Sequence, residues 1–210
     1  LHFSFAASMN GRLSATHDRP LADTRSRAGG QAIADVLFGN ANPSGKLPIT
    51  FAQQDADLPQ SSIDPNNLNV SYGEGLLLGY RWYDAKNVRP LFPFRFGLPY
   101  TTFAYSGMTA QRDGADNVTV ELTVTNSDAR TDAEVAQIYA SLPAGLGEPS
   151  QRLVGWTKVM LQLGQARQIS VAVPARRFVT CNSDAHAWQV NPGSYTLTAA
   201  RSSHAPNAQT

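Results

Sequence analysis

From Val118 to Thr125 the chain alternates without a break: Val118, Val120, Leu122 and Val124 are apolar, while Thr119, Glu121, Thr123 and Thr125 are polar. Successive side chains of an extended chain point to opposite faces, so this period of two makes a strand with one buried face and cannot make an amphipathic helix. Similar runs follow at 135–142, 153–161, 169–173 and 195–199. Turn formers separate them: Asn126-Ser127-Asp128, the Pro143–Pro149 stretch, Leu163-Gly164-Gln165 and Asn191-Pro192-Gly193. Short strands at this spacing over about 100 residues bury their apolar faces by pairing two antiparallel sheets.

The expected fold is therefore mainly β, a sandwich of immunoglobulin or fibronectin III type. Cys181 is the only cysteine, so no intrachain disulfide can form and the fibronectin III-like variant is favoured. The aromatics Tyr139, Trp156, Trp188 and Tyr195 are expected in its core.

Ahead of the sandwich the sequence changes character. Residues 1–28 show no sustained periodicity. Gln31–Phe38 places Ala32, Ile33, Val36 and Leu37 on one helical face, with Gly39 as the stop and Asn42-Pro43-Ser44-Gly45 as a turn. Leu47–Phe51 alternates like an edge strand, Pro48 included. Residues 52–71 are polar and rich in Asp, Gln, Asn and Pro, hence an exposed loop. Residues 72–105 are dense in aromatics, and Pro90, Pro93 and Pro99 exclude a long helix there. They read as an extended connector pressed between two packed bodies. The division expected is 1–28 (atypical), 29–71 (helix, strand and loop), 72–104 (connector), 105–203 (sandwich) and 204–210 (tail).

Charge and motifs exclude several chemistries. The net charge is +1 and the basic residues form no cluster larger than Arg176-Arg177, so no nucleic-acid partner is expected. No apolar run is long enough to span a membrane. Gly39–Lys46 misses the spacing and context of a phosphate loop, and Gly73, Gly75 and Gly79 miss those of a dinucleotide fingerprint. The four histidines are scattered, so no metal site and no cofactor are expected. Glu74, Arg81 and Asp84, set among Tyr72, Trp82 and Tyr83, are the most site-like group, since carboxylates beside aromatic faces suit sugar hydroxyls and rings. They suit a satisfied domain interface equally.

Three stretches carry a resemblance. Gly29–Phe51 (GGQAIADVLFGNANPSGKLPITF), Tyr72–Asp84 (YGEGLLLGYRWYD) and Pro90–Phe103 (PLFPFRFGLPYTTF) resemble the C-terminal part of family 3 glycoside hydrolases, the β-glucosidase-like enzymes. Glu134–Tyr139 (EVAQIY), Leu153–Lys158 (LVGWTK) and Trp188–Tyr195 (WQVNPGSY) resemble that family's fibronectin III-like domain. The resemblance implies a retaining exo-glycosidase acting on a β-linked glucoside or oligosaccharide. In that family a barrel domain carries the aspartate nucleophile and an α/β sandwich domain carries the glutamate acid/base. Residues 29–51 would be the closing helix and strand of the α/β sandwich domain. No residue of this chain matches either catalytic position, so the catalytic set is expected to be none, with Glu74, Arg81 and Asp84 as substrate-binding candidates.

The resemblance also implies a periplasmic or secreted location. Residues 1–28 depart from the family pattern: Leu21–Ala28 stands where a Trp-x-x-Pro-Gly-like segment is usual, and a one-base shift would restore it, so the segment is expected to be out of frame. The expected function is a C-terminal part of a β-glucosidase-like hydrolase that supplies support rather than catalytic groups. The rival is a stand-alone carbohydrate- or protein-binding module. Of the whole chain, 105–203 is the unit expected to be stable by itself.

Overall fold

A computed structural model describes residues 21–59, 66, 72–205 and 209–210, with side chains from residue 29 onward. The out-of-frame reading of 1–28 and most of the second half of the 52–71 loop therefore fall outside the described residues or rest there on backbone alone.

Two antiparallel sheets form the body. One has the order β1-β2-β5, with β1 at Phe103–Arg112, β2 at Val118–Asn126 and β5 at Ala166–Val173. The other has the order β4-β3-β8, with β3 at Asp132–Ser141, β4 at Arg152–Leu161 and β8 at Thr196–Ala200. A short ribbon, β6 (Thr180–Asn182) with β7 (Ala187–Gln189), stands apart from both. The alternation that predicted β2 is the one that builds the core. Val120, Leu122 and Val124 are fully buried and meet Ala136, Ile138 and Ala140 of β3 and Val171 and Val173 of β5 in one cluster. The sheets approach closely at Gly155, where a Cβ would stand 2.8 Å from Val171 Cγ1 and 3.1 Å from Val173 Cγ2. The fold is a fibronectin III-like sandwich preceded by a small helical and aromatic segment.

Strand β3 departs from simple alternation. Nearly every residue in it is buried, because the sandwich covers one face and the connector covers the other. Gln137 and Tyr139, on the outer face, are as enclosed as Ile138 on the inner one.

Four expectations are corrected. The first strand begins at Phe103 and takes Phe103 and Tyr105 into the sandwich core; its sequence, FAYSGMTAQR, lacks the alternation that marks its neighbours because its second half is mostly exposed. The helix α1 runs Leu21–Leu37, through Gly29-Gly30 rather than from Gln31; glycine costs a helix about 1 kcal/mol against alanine without forbidding it. The connector is not wholly extended, since Tyr80–Lys86 forms α2 and stops at Asn87 in the left-handed region, φ 52, before Pro90 is reached. Finally, Leu47–Phe51 pairs only at its ends. The Leu47 N–H donates to Phe96 O and the Phe51 N–H to Phe92 O, while Pro48 and Pro93 lack the donors a continuous ladder needs.

Helix α1 is tied to the sandwich at its C-terminal end. Gly39, at φ 74, turns the chain, and its carbonyl accepts from Arg130 Nη1 at 3.0 Å. The Tyr100 hydroxyl donates to Val36 O at 2.7 Å. Its apolar residues Ile33 and Leu37, and Phe38 just after, remain 56%, 71% and 82% exposed.

Candidate functional site

The polar and aromatic groups converge where the connector, the 42–46 turn and the segment after β8 meet the outer face and one end of β3. Helix α2 puts Tyr80 on that face. Its ring stacks on Phe94 at 4.9 Å between centroids and meets Tyr139 edge-on at 6.1 Å. The Tyr80 hydroxyl accepts from the Leu153 N–H at 2.9 Å. The Tyr139 hydroxyl donates to Gln137 Oε1 at 2.7 Å, and Gln137 Nε2 donates to Arg201 O at 2.6 Å. Burial pushes both the Tyr105 and Tyr139 phenols well above the ordinary range, so each stays neutral and serves as a packing group with a polar tip.

One turn further along α2, the Asp84 side chain is 8% exposed. Its Oδ2 accepts from Gln151 Nε2 at 2.9 Å, and His204 Nε2 lies 3.2 Å from Oδ1. Burial raises the Asp84 carboxyl above its usual range, while the Gln151 hydrogen bond and then the His204 charge pull it back. Gln151 Nε2 also donates to Ser203 O, so this carboxylate joins α2, the approach to β4 and the end of the chain.

A second carboxylate closes the end of the sandwich. Glu134, 1% exposed, takes Lys46 Nζ at 2.8 Å on Oε1 and Arg201 Nε at 3.1 Å on Oε2, and its Oε1 also accepts the Val135 N–H. Lys158 Nζ donates to Ser44 Oγ beside it. Burying a charge this fully is tolerable only when its lone pairs are filled by partners, as they are here.

The sequence-derived candidates do not form one centre. Asp84 is engaged as described, the Arg81 guanidinium lies over the Tyr80 ring at 5.8 Å, and the half-buried Glu74 side chain takes no part in either cluster. The histidine-to-carboxylate contact joins residues 120 positions apart, which no spacing rule exposes. Glu134 was legible in one respect: a charged residue inside the run Ala133–Ala136 is anomalous unless paired. The expectation of core aromatics holds for the part-buried Tyr195, which packs against the sandwich core and meets Phe178 edge-on, whereas Tyr139, 1% exposed, is buried on the outer face against Tyr80. It fails for Trp156 and Trp188, which are 50% and 72% exposed; Trp156 lies on the outward face of β4 and Trp188 on the detached ribbon.

Among the described residues no helix is long and apolar enough to cross a membrane. As chemistry, the arrangement holds segments together. Its two buried carboxylates are each occupied by protein donors rather than paired across an open cleft.

The glycosyl hydrolase family 3 C-terminal domain matches residues 21–100, and the fibronectin type III-like domain matches 134–203. The chain belongs to the family 3 glycosyl hydrolases. It is 37% identical over 203 residues to a probable β-glucosidase M of Aspergillus niger, covering 83% of this chain and 26% of that protein. It is 36% identical to an exo-α-(1→6)-L-arabinopyranosidase of Bifidobacterium breve, covering 84% and 24%. Among solved structures, a family 3 β-glucosidase of Bifidobacterium adolescentis superposes with a TM-score of 0.78 at 38% identity, over 85% of this chain and 27% of that one. A β-D-glucoside glucohydrolase of Trichoderma reesei gives 0.78 at 29% identity, over 88% and 28%. The family 3 chain thus spans about a quarter of the length of these relatives.

Proposed function

We propose that this chain is a bracing part of a β-glucosidase-like family 3 hydrolase and supplies none of its catalytic carboxylates. The observation that carries this reading is the Glu134 centre. One buried carboxylate holds Lys46 of the family C-terminal domain and Arg201 at the end of the fibronectin-like domain, which suits a joint between bodies. Retaining glycoside hydrolysis needs an acid and a nucleophile about 5–5.5 Å apart across the scissile bond, and the two carboxylates of this site, Asp84 and Glu134, are held by structural partners. The outward apolar side chains of α1 fit a helix covered by further sheet in a longer enzyme.

The substrate class proposed is a β-linked glucoside or oligosaccharide. Relatives named for glucoside and for arabinopyranoside cleavage match this chain about equally well, so sugar choice belongs to other parts of the enzyme. A periplasmic or secreted location is proposed with it, testable by fractionating cells that express the full gene. The deciding assay incubates the purified chain with an aryl β-glucoside. No release is expected; release abolished by changing one Asp or Glu to its amide would overturn the reading.

The exposed Trp188 favours a second reading, a module that stacks a sugar ring on that indole. Binding of cellobiose by the wild type and not by Trp188→Ala would support it over the first.

A further inference from the structure

We propose that the cleft between the 89–97 segment and the stretch following β8, with Lys46 beside it, binds a small organic anion, a carboxylate or phosphate monoester carried on an apolar or sugar body. The cleft measures about 570 Å³. Three separate stretches of chain bring basic side chains to it: Lys46, Arg89, and Arg201 with His204. Lys46 and Arg201 share the carboxylate of Glu134, and the Asp132 and Lys158 charges act on the same group, which leaves it one positive charge in excess. His204 is matched by Asp84. Arg89 is exposed, and its guanidinium has no carboxylate or hydrogen-bond partner among the described residues; only its backbone carbonyl is used, by Gln53. Basic groups therefore outnumber carboxylates in one concave place on a chain whose net charge is +1. Concave, low-dielectric walls concentrate such a field.

Those walls are apolar. Phe92 and Phe96 line the cleft and stack on each other at 5.3 Å, giving a flat face for the body of a ligand whose anionic end meets the cations. The sides are held in place before any ligand arrives. Leu47 and Phe51 donate to Phe96 and Phe92, and the Ser203 N–H donates to Phe94 O at 3.1 Å. A preformed cleft with a few convergent charged groups loses little ordering entropy on binding.

The site shares Lys46 and Arg201 with the bracing centre, but Arg89 takes no part in that centre, so each reading can fail without the other. The test is isothermal titration of the full chain with inorganic phosphate, glucose 6-phosphate, glucuronate and, as the neutral control, glucose, at an ionic strength held constant with chloride. Glucose 6-phosphate or glucuronate should bind more tightly than inorganic phosphate, and glucose should not bind. Preference for glucose 6-phosphate or for glucuronate identifies the anionic group. Arg89→Ser should weaken binding about tenfold, the value of one lost charge-assisted contact, with thermal unfolding of the free chain unchanged. Arg89→Lys should keep most of the affinity. Failure of every anion to bind, glucose binding as well as glucose 6-phosphate, or wild-type affinity in Arg89→Ser would each overturn the proposal.

Discussion

Lys46 Nζ stands 2.8 Å from Glu134 Oε1 with the two side chains only 5% and 1% exposed, so an ion pair between residues 88 positions apart is sealed inside the joint between the two matched domains. Arg201 closes the other side of the same carboxylate. The pair's role is placement, because the desolvation of both ions offsets much of their attraction.

Removing one partner leaves the other charge buried without compensation. Lys46→Met or Glu134→Leu should each destabilise the chain by about 3–5 kcal/mol. The double variant should recover part of that loss, since Arg201 can still reach solvent. Urea unfolding of the four proteins as a double-mutant cycle measures it, and strictly additive losses would refute the coupling.

Phe94 should matter more than Trp82, although both lie in the aromatic connector. Phe94 stacks on Tyr80 and joins the cluster with Tyr139, whereas the half-buried Trp82 has an edge-on contact with Tyr83. Phe94→Ala should cost about 3–5 kcal/mol, with a clearly smaller loss for Trp82→Ala. Tyr80→Phe should cost about 1–2 kcal/mol by orphaning the Leu153 N–H. Thermal unfolding monitored by circular dichroism ranks the three.

Gly155 marks a tight point between the sheets, and a methyl group there would press on Val171 and Val173. Gly155→Ala should destabilise by about 1–3 kcal/mol through overpacking. Pairing it with Val171→Ala should restore part of the loss, as denaturant midpoints would record.

Asp132 sets a pH dependence. Its side chain is buried, Oδ1 accepts the Ala133 N–H at 2.7 Å, and Oδ2 has no hydrogen-bond partner among the described residues. Burial raises its carboxyl above the usual range; the Ala133 N–H lowers it, the Glu134 charge raises it further, and Lys46 and Lys158 lower it. The folded state therefore holds this proton more tightly than the unfolded one. Its stabilising contribution is complete below the unfolded value, about pH 4, and is lost as pH rises through the folded value. Asp132→Asn should melt higher than the wild type near pH 7, with the gap closing toward pH 4. Parallel melting curves across that range would exclude this linkage.

Limited proteolysis should cut within α1 before it cuts 42–51. Among the described residues, Tyr100 and Arg130 hold the helix, both at its C-terminal end. The 42–46 turn is locked through Asn42 to Thr101, Ser44 to Lys158 and Lys46 to Glu134. Mass spectrometry of the first fragments distinguishes this order from equal protection of both stretches.

What could be read from the chain alone was whatever depends on local geometry. Alternation across Val118–Thr125 predicts a half-buried strand because side-chain direction repeats every two residues, and the turn clusters bound its neighbours for equally local reasons. The resemblance of Gly29–Phe51 and Leu153–Lys158 to family 3 enzymes was legible in the same way, as runs of residues in order. Strand β1 and helix α2 were not, since Phe103 and Tyr80 are buried by partners distant in sequence rather than by a periodic pattern of their own. The functional groups depended on tertiary structure most of all. Asp84 acquires Gln151 and His204, and Glu134 acquires Lys46 and Arg201, only when separate segments fold against the same strand. Electrostatic partners act through space at a few ångströms, so their identity follows from the path of the whole chain and from no spacing along it.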